Sequence, residues 1–189
     1  MKYPDAAARL DEYRRQIGAI REKMRATQAA AEPQEVRDYE FRTPEGPIRL
    51  SALFAAHEYL IVIHNMGAAC PACTMWADGF NGVYDHLTRR AAFVVSTPDP
   101  PQAQRQFATS RGWRFPLVSH AGTTFAADMG FRTEEGWKPG VSVFERQGER
   151  IVRVSDAHFC PGDDFCSVYH LFDLLPGGAA GWRAKFSYS

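Results

Sequence analysis

The run Tyr59-Leu60-Ile61-Val62-Ile63 is continuous, apolar and rich in β-branched residues, the pattern of a strand buried on both faces. It stops shortly before Cys70-Pro71-Ala72-Cys73, where a helical pattern begins that places Trp76, Phe80, Val83 and Leu87 on one face as far as about residue 90. Gly79 and Gly82 weaken that helix and suggest a bend. A strand covered on both faces suits a sheet with helices on both sides. The same stretch also sets the chemistry. Pro71 suits the first helical position, because the N–H it lacks has no intrahelical partner there. Cys70 is then the N-cap, where free amides and the positive end of the helix favour a thiolate over a thiol. Cys73, three residues on and on the same face, is placed to resolve a mixed disulfide on Cys70. The other readings are two small buried residues or half of a zinc site, although zinc pairs usually sit on tight turns.

The rest of the chain agrees with an α/β class. Residues 5–31 read as one helix with Leu10, Tyr13, Ile17, Ile20 and Met24 along a narrow seam, ended by Pro33. That seam suits packing on the body of the protein or against a second copy in a homodimer. Residues 36–43 and 48–50 flank Thr43-Pro44-Glu45-Gly46-Pro47 and predict a hairpin, after which Ser51 caps a short helical turn to Ala56. A second buried strand covers 92–96. A helix follows from Pro100 or Pro101 to about Arg111, then a short extended piece at 115–118. Thr123 or Thr124 caps a helix holding Phe125, Ala126 and Met129, which ends at Gly130. Residues 141–144 and 151–154 form a second hairpin around Arg146-Gln147-Gly148-Glu149. A last helix over about 163–175 carries Phe165, Val168, Phe172 and Leu175, with Asp163 and Asp164 as its N-cap and first-turn acids. Strands alternating with helices imply a largely parallel sheet, with the final hairpin adding antiparallel strands at one side. The expected organisation is a helical extension over 1–32, one domain over 33–176 and a tail over 177–189 to which no structure is assigned.

Lys plus Arg and Asp plus Glu both total 22, so a basic footprint for nucleic acid or an anionic membrane is absent. No apolar run approaches the roughly 18 residues of a membrane span, and residues 1–25 lack the apolar core of a signal peptide. A cytoplasmic protein is expected, in which paired cysteines point to redox chemistry or metal before structural staples.

Residues 36–175 resemble the thioredoxin-like superfamily, in the arrangement of its peroxiredoxin and cytochrome-maturation branches with their N-terminal hairpin. More narrowly, Cys70-Pro71-Ala72-Cys73-Thr74-Met75-Trp76-Ala77-Asp78-Gly79-Phe80, with Pro139-Gly140-Val141-Ser142-Val143-Phe144, resembles a bacterial thioredoxin-like family, domain of unknown function 899. The resemblance implies a thioredoxin-like fold and places Pro139 at the superfamily's cis-proline, which faces the cysteine pair and aligns an extended substrate. It also places His64 where thioredoxins carry a buried acid that serves the second cysteine. A histidine can act as that base, and the alternative is a core histidine bonded to a neighbour. A peroxidatic cysteine in the peroxiredoxins follows Thr or Ser by three residues and Pro by seven. For Cys70 those positions hold Gly67 and Ile63, and for Cys73 they hold Cys70 and Met66, so dithiol exchange is expected in place of peroxide reduction.

A second pair, Cys160 and Cys166, follows the last strand, with Cys166 and His170 spaced i, i+4. In a thioredoxin-like sheet that strand exits at the rim carrying Cys70, two strand spacings away, about 10 Å. The pair is open to three readings: a local structural pair, a relay that exchanges with Cys70 and Cys73, or a metal site joined by His158 or His170 or by the first pair. The expected activity is thiol–disulfide exchange on a protein or small-molecule thiol or disulfide, with no cofactor. The competing classes are a metal-binding module and a redox-silent partner-binding module on the same scaffold.

Overall fold

The computed structural model of the chain describes residues 1–188. The chain divides into two compact units, one over Met1–Pro33 and one beginning at Gln34. The first is a single helix, α1 (Tyr3–Ala30), which opens with Pro4 in its first turn and has none of its residues buried. Its expected seam is exposed, and Arg14–Asp11 and Arg15–Glu12 ion pairs run along its surface at i, i+3 spacing.

The second unit runs β1 (Gln34–Val36), β2 (Glu40–Thr43), β3 (Gly46–Arg49), α2 (Leu50–Leu53), β4 (Tyr59–His64), α3 (Pro71–Leu87), β5 (Ala92–Thr97), α4 (Pro101–Arg111) and β6 (Leu117–Ser119). It continues through α5 (Phe125–Asp128), β7 (Arg132–Thr133), β8 (Gly136–Trp137), β9 (Gly140–Gln147), β10 (Arg150–His158) and α6 (Ser167–Phe172). An eight-stranded sheet has the order β1-β10-β9-β4-β5-β6-β2-β3, and β7–β8 form a separate small hairpin. β4, β5 and β6 are parallel, and β9 and β10 continue the sheet antiparallel beyond β4. The apolar run at 59–63 is covered on both faces, as its composition requires. Leu60 and Val62 face a core with Phe41, Phe125, Phe131 and Phe144, and Ile63 faces a second core with Trp76, Phe93, Val141 and Phe159. α3 lies over this second face and runs uninterrupted through Gly79 and Gly82.

Several sequence expectations change in three dimensions. The strand expected over 36–43 is two strands, and they sit far apart in the sheet order. β1 pairs with β10, whereas β2 pairs with β3 and meets β6 only at Arg42 opposite Ser119. In a flat sheet β1 and β2 would be six strand spacings apart, about 29 Å. Residues 37–39 join them, and the four steps from Val36 to Glu40 span at most about 14 Å. The sheet is therefore curled until its ends approach. Tyr39 Oη donates to Asp128 at 2.7 Å and packs edge-on against Phe125, while Arg37 bonds both Thr124 and Asp128. Ser51 is not a cap. Its amide and hydroxyl both donate to the Asp38 carboxylate at 2.8 Å, and Arg49 occupies the N-cap of α2.

The last helix is shorter than the apolar stripe suggested, because Cys166, not Asp163, is its N-cap. The tail is not structureless through residue 188. Trp182 packs against Phe172 and Tyr169, and the Phe186 carbonyl accepts from Arg111 at 2.7 Å. Its last residue, Ser189, lies outside the described residues. Among the described residues no helix is long and apolar enough to cross a membrane.

Candidate active site

The loop from β4 to α3 is tied down atom by atom. The Asn65 amide donates to Ser96 O at 3.0 Å, and its side-chain oxygen accepts from Gly67 N at 2.8 Å. Asn65 Nδ2 reaches the Cys73 carbonyl at 3.4 Å. The Asp99 carboxylate accepts from Ala68 N at 2.7 Å and lies so close to Gly67 that a Cβ there would sit 2.9 Å from its oxygens. Gly67 also has φ +101°, so this position needs glycine for both its backbone angle and its neighbour. The loop then delivers Cys70 to the N-cap of α3, in extended conformation (φ −102°, ψ 105°), with Pro71 at the first helical position. Thr74 closes the turn, donating from both amide and hydroxyl to the Cys70 carbonyl at 3.0 Å.

Cys70 Sγ accepts from the Cys73 amide at 3.1 Å. The Cys73 thiol also donates to it, and this is the largest influence on its acidity, followed by the opposing effect of partial burial and then by the Cys73 and Ala72 amides. The balance brings the Cys70 pKa down to about 6, so the sulfur is mostly thiolate at neutral pH. Cys73 is 3% exposed, and its thiol is pushed far above its ordinary value by holding a proton toward the Cys70 thiolate, by burial and by the nearby charge. All four cysteines are free, with Cys70 at intermediate exposure and Cys160 exposed. The arrangement is an accessible anionic sulfur backed by a buried, protonated one.

His64 takes no part in this pair. It continues the Leu60–Val62 face of β4, opposite the face that carries α3. There it stacks on Phe131 at 3.8 Å between centroids, and its Nε2 is 2.9 Å from Ser142 Oγ. Burial, then the neighbouring His120, Arg153 and His158, hold its pKa well below the usual histidine range. The geometry is that of the alternative reading, a neutral core histidine. His120 is similar: it is buried, bonded to Ser96 Oγ at 2.8 Å, and lowered to about 4 chiefly by desolvation. No sequence pattern marks His120; only the β5–β6 packing brings it to Ser96.

Pro139 immediately precedes β9, and Gly140 is in register with His64 at the end of β4. Its peptide bond is trans, because no cis peptide occurs among the described residues. The Pro139 carbonyl already accepts from Phe159 N at 2.9 Å, and Lys138 N donates to Phe131 O at 2.8 Å. Pro139 thus lacks the cis bond that the resemblance implied, and these backbone atoms are engaged within the chain.

The second pair does return to the same rim. His158 is in register with Gly140, and Gly140 with His64, so β10 ends two strands from β4. Asp163, expected as a helix cap, instead organises a turn. Its carboxylate accepts from Cys160 N at 2.9 Å and Phe165 N at 2.8 Å, and from Trp76 Nε1 of α3 at 3.4 Å. Cys166 is buried beside Trp76 and Phe159, and desolvation foremost raises its pKa. The metal reading finds no support in these positions. His158 turns to Phe131 on the opposite sheet face, and His170 Nε2 lies 3.8 Å from Asp164. Among the described residues no group of three or more His, Cys, Asp or Glu is gathered to hold a metal ion.

Comparison with known proteins places the fold. The chain is similar to peroxidoxin BcpB from Mycobacterium tuberculosis, with 28% identity over 60% of this chain and 77% of that one, and a TM-score of 0.53. A mutant of PrxQ from Xylella fastidiosa aligns with a TM-score of 0.59 at 13% identity, covering 68% and 85% of the two chains. Reduced Prx3 from Vibrio vulnificus aligns at 0.58 with 11% identity over 70% and 89%. No curated protein matches the sequence. The architecture is thioredoxin-like, in its peroxiredoxin arrangement. Across residues 9–186 the sequence matches the profile of the family described as "Bacterial protein of unknown function (DUF899)", and the chain belongs to that family.

Proposed function

We propose that this protein is a thiol–disulfide oxidoreductase whose working dithiol is Cys70–Cys73. One observation carries the reading: Cys70 Sγ sits at the start of α3, accepting from the Cys73 amide at 3.1 Å, with the Cys73 thiol directed at it. In the reductive direction the Cys70 thiolate attacks one sulfur of a substrate disulfide, and the other sulfur leaves as a thiolate. Once Cys70 is bound in the mixed disulfide it has lost its charge. Two of the three influences that raise the Cys73 pKa, the hydrogen bond to Cys70 and its charge, then vanish and only burial remains. Cys73 gives its proton to the departing thiolate, attacks Cys70 Sγ and releases the second substrate thiolate. The substrate gains two electrons, and Cys70–Cys73 becomes a disulfide; the reverse sequence oxidises a dithiol substrate.

Trypsin cuts after Arg49 and Arg89, so both cysteines fall on peptide 50–89. Oxidised glutathione should remove two hydrogens from that peptide, and dithiothreitol should restore them. Cys70→Ser should abolish the change. A wild-type peptide that never loses two hydrogens would reject the proposal.

The solved neighbours are named as peroxiredoxins, which favours peroxide reduction as a second reading. It is separated by adding hydrogen peroxide alone. Turnover of peroxide with a Cys70 sulfenic acid as first product supports it, whereas exchange with disulfides and indifference to peroxide supports the first.

A further inference from the structure

We propose that Cys160 and Cys166 form a second dithiol that takes oxidising equivalents from the Cys70–Cys73 disulfide within the same chain. The inference rests on the exchange activity proposed above. Three observations place the pairs at the same rim of the sheet. β10 leaves the sheet at the rim where β4 ends, through the register His64–Gly140–His158. The turn after it is fastened to α3, because Asp163 joins Cys160 N at 2.9 Å to Trp76 Nε1 at 3.4 Å, and Trp76 lies one helical turn beyond Cys73. Phe159 packs on Trp76 at 5.5 Å as well.

The segment between the two new cysteines is closed into a compact turn. Asp163 N donates to Cys160 O in a tight turn, Gly162 supplies φ +87°, and the rings of Phe159 and Phe165 lie 4.9 Å apart. Cys160 and Cys166 are the next residues after those rings, at the two ends of a closed loop. Cys160 is exposed and Cys166 buried, the same division of labour as Cys70 and Cys73.

The exchange balances without any external reagent. The Cys160 thiolate attacks Cys70 Sγ, the more accessible sulfur of the disulfide, and Cys73 leaves and takes up a proton. Cys166, losing its own proton, attacks Cys160 Sγ and expels Cys70 as the thiolate. The products are a Cys160–Cys166 disulfide and a Cys70–Cys73 dithiol. The amide of Cys73 held 3.1 Å from Cys70 Sγ stabilises the reduced form of the first pair, which works in favour of this direction.

Trypsin leaves the second pair on peptide 154–183, separate from peptide 50–89. Reduced wild type is given one equivalent of diamide and quenched by acid and alkylation at increasing times. The loss of two hydrogens should appear first on 50–89 and then pass to 154–183. In Cys70→Ala the second peptide should oxidise at least ten-fold more slowly. The double variant Cys73→Ser/Cys166→Ser should trap an intrachain cross-link of the two peptides through Cys70 and Cys160. Oxidation confined to 50–89, or reaching 154–183 equally fast in Cys70→Ala, overturns the relay and leaves the first dithiol standing. If 50–89 never oxidises in wild type, the exchange reading fails and the relay fails with it.

Discussion

The sulfur of Cys70 is held anionic by the Cys73 thiol and by the Cys73 and Ala72 amides, none of which carries a formal charge. Its acidity should therefore be nearly indifferent to salt, unlike a thiolate paired with a lysine. The rate of iodoacetamide alkylation at Cys70 is expected to rise with a midpoint near pH 6 and to keep that midpoint from low salt to 1 M. Cys73→Ala removes the largest of the favourable contacts, so the midpoint should move up toward the ordinary thiol value, and an unmoved midpoint would show that the amides suffice. The buried histidines act in the opposite sense. In the fold His64 and His120 resist protonation, whereas in the unfolded chain they accept protons near pH 6.5. The unfolded state then binds more protons, and stability falls as pH drops below about 6.5, by up to about 1.4 kcal/mol per pH unit for each histidine, until the folded groups titrate. For His120 that point is about 4. Urea melts between pH 7 and pH 4.5 should show this loss, and it should be shallower in His120→Asn. Parallel pH profiles for the two proteins would contradict the assignment.

At the level of elements, the register between strands leaves room for some side chains and none for others. Gly140 sits between β4 and β10, and a methyl group there would strike the Phe131 ring and the Ala157 carbonyl, the second of which is backbone and cannot swing away. Gly140→Ala should cost about 2–3 kcal/mol in chemical denaturation and shift the Phe131 ring on which His64 stacks. Gly79→Ala offers the contrast. An added Cβ there meets nothing within 4 Å, and alanine is the better helix former, so α3 should gain up to about 1 kcal/mol. The join between α3 and the turn at 160–166 is also measurable. Trp76→Phe keeps the packing on Phe159 but removes the donor to Asp163, which should speed amide exchange at Cys160 and Phe165 and cost about 1 kcal/mol.

At the scale of the whole sheet, the three-residue link between β1 and β2 holds the two ends near each other. Tyr39 and Arg37 complete that closure on Asp128 of α5. Tyr39→Phe should lower stability by about 1 kcal/mol while leaving the Cys70 alkylation midpoint unchanged, because the closure and the dithiol lie on different elements. The α/β class, the strand before the dithiol, the helix that starts at Pro71 and the identity of Cys70 as its N-cap were all legible from residue order. Each depends on hydropathy period, proline placement or cap chemistry acting within a few neighbours. The remaining features are non-local. Whether residues 36–43 make one strand or two depends on where each half pairs: β1 joins 151–153, more than a hundred residues away, whereas β2 joins the nearby β3 and touches β6 at Ser119. Asp163 reads locally as a helix cap, yet it bonds Trp76 because β10 returns beside α3. His64 faces Phe131 because its position in the β4 alternation sends its side chain away from α3, and Pro139 is engaged by Phe159 across the rim. Local order thus decides which sulfur sits at the helix N-terminus, whereas the curl and register of the sheet decide what surrounds it, since long-range pairing selects among segments with equal local propensity.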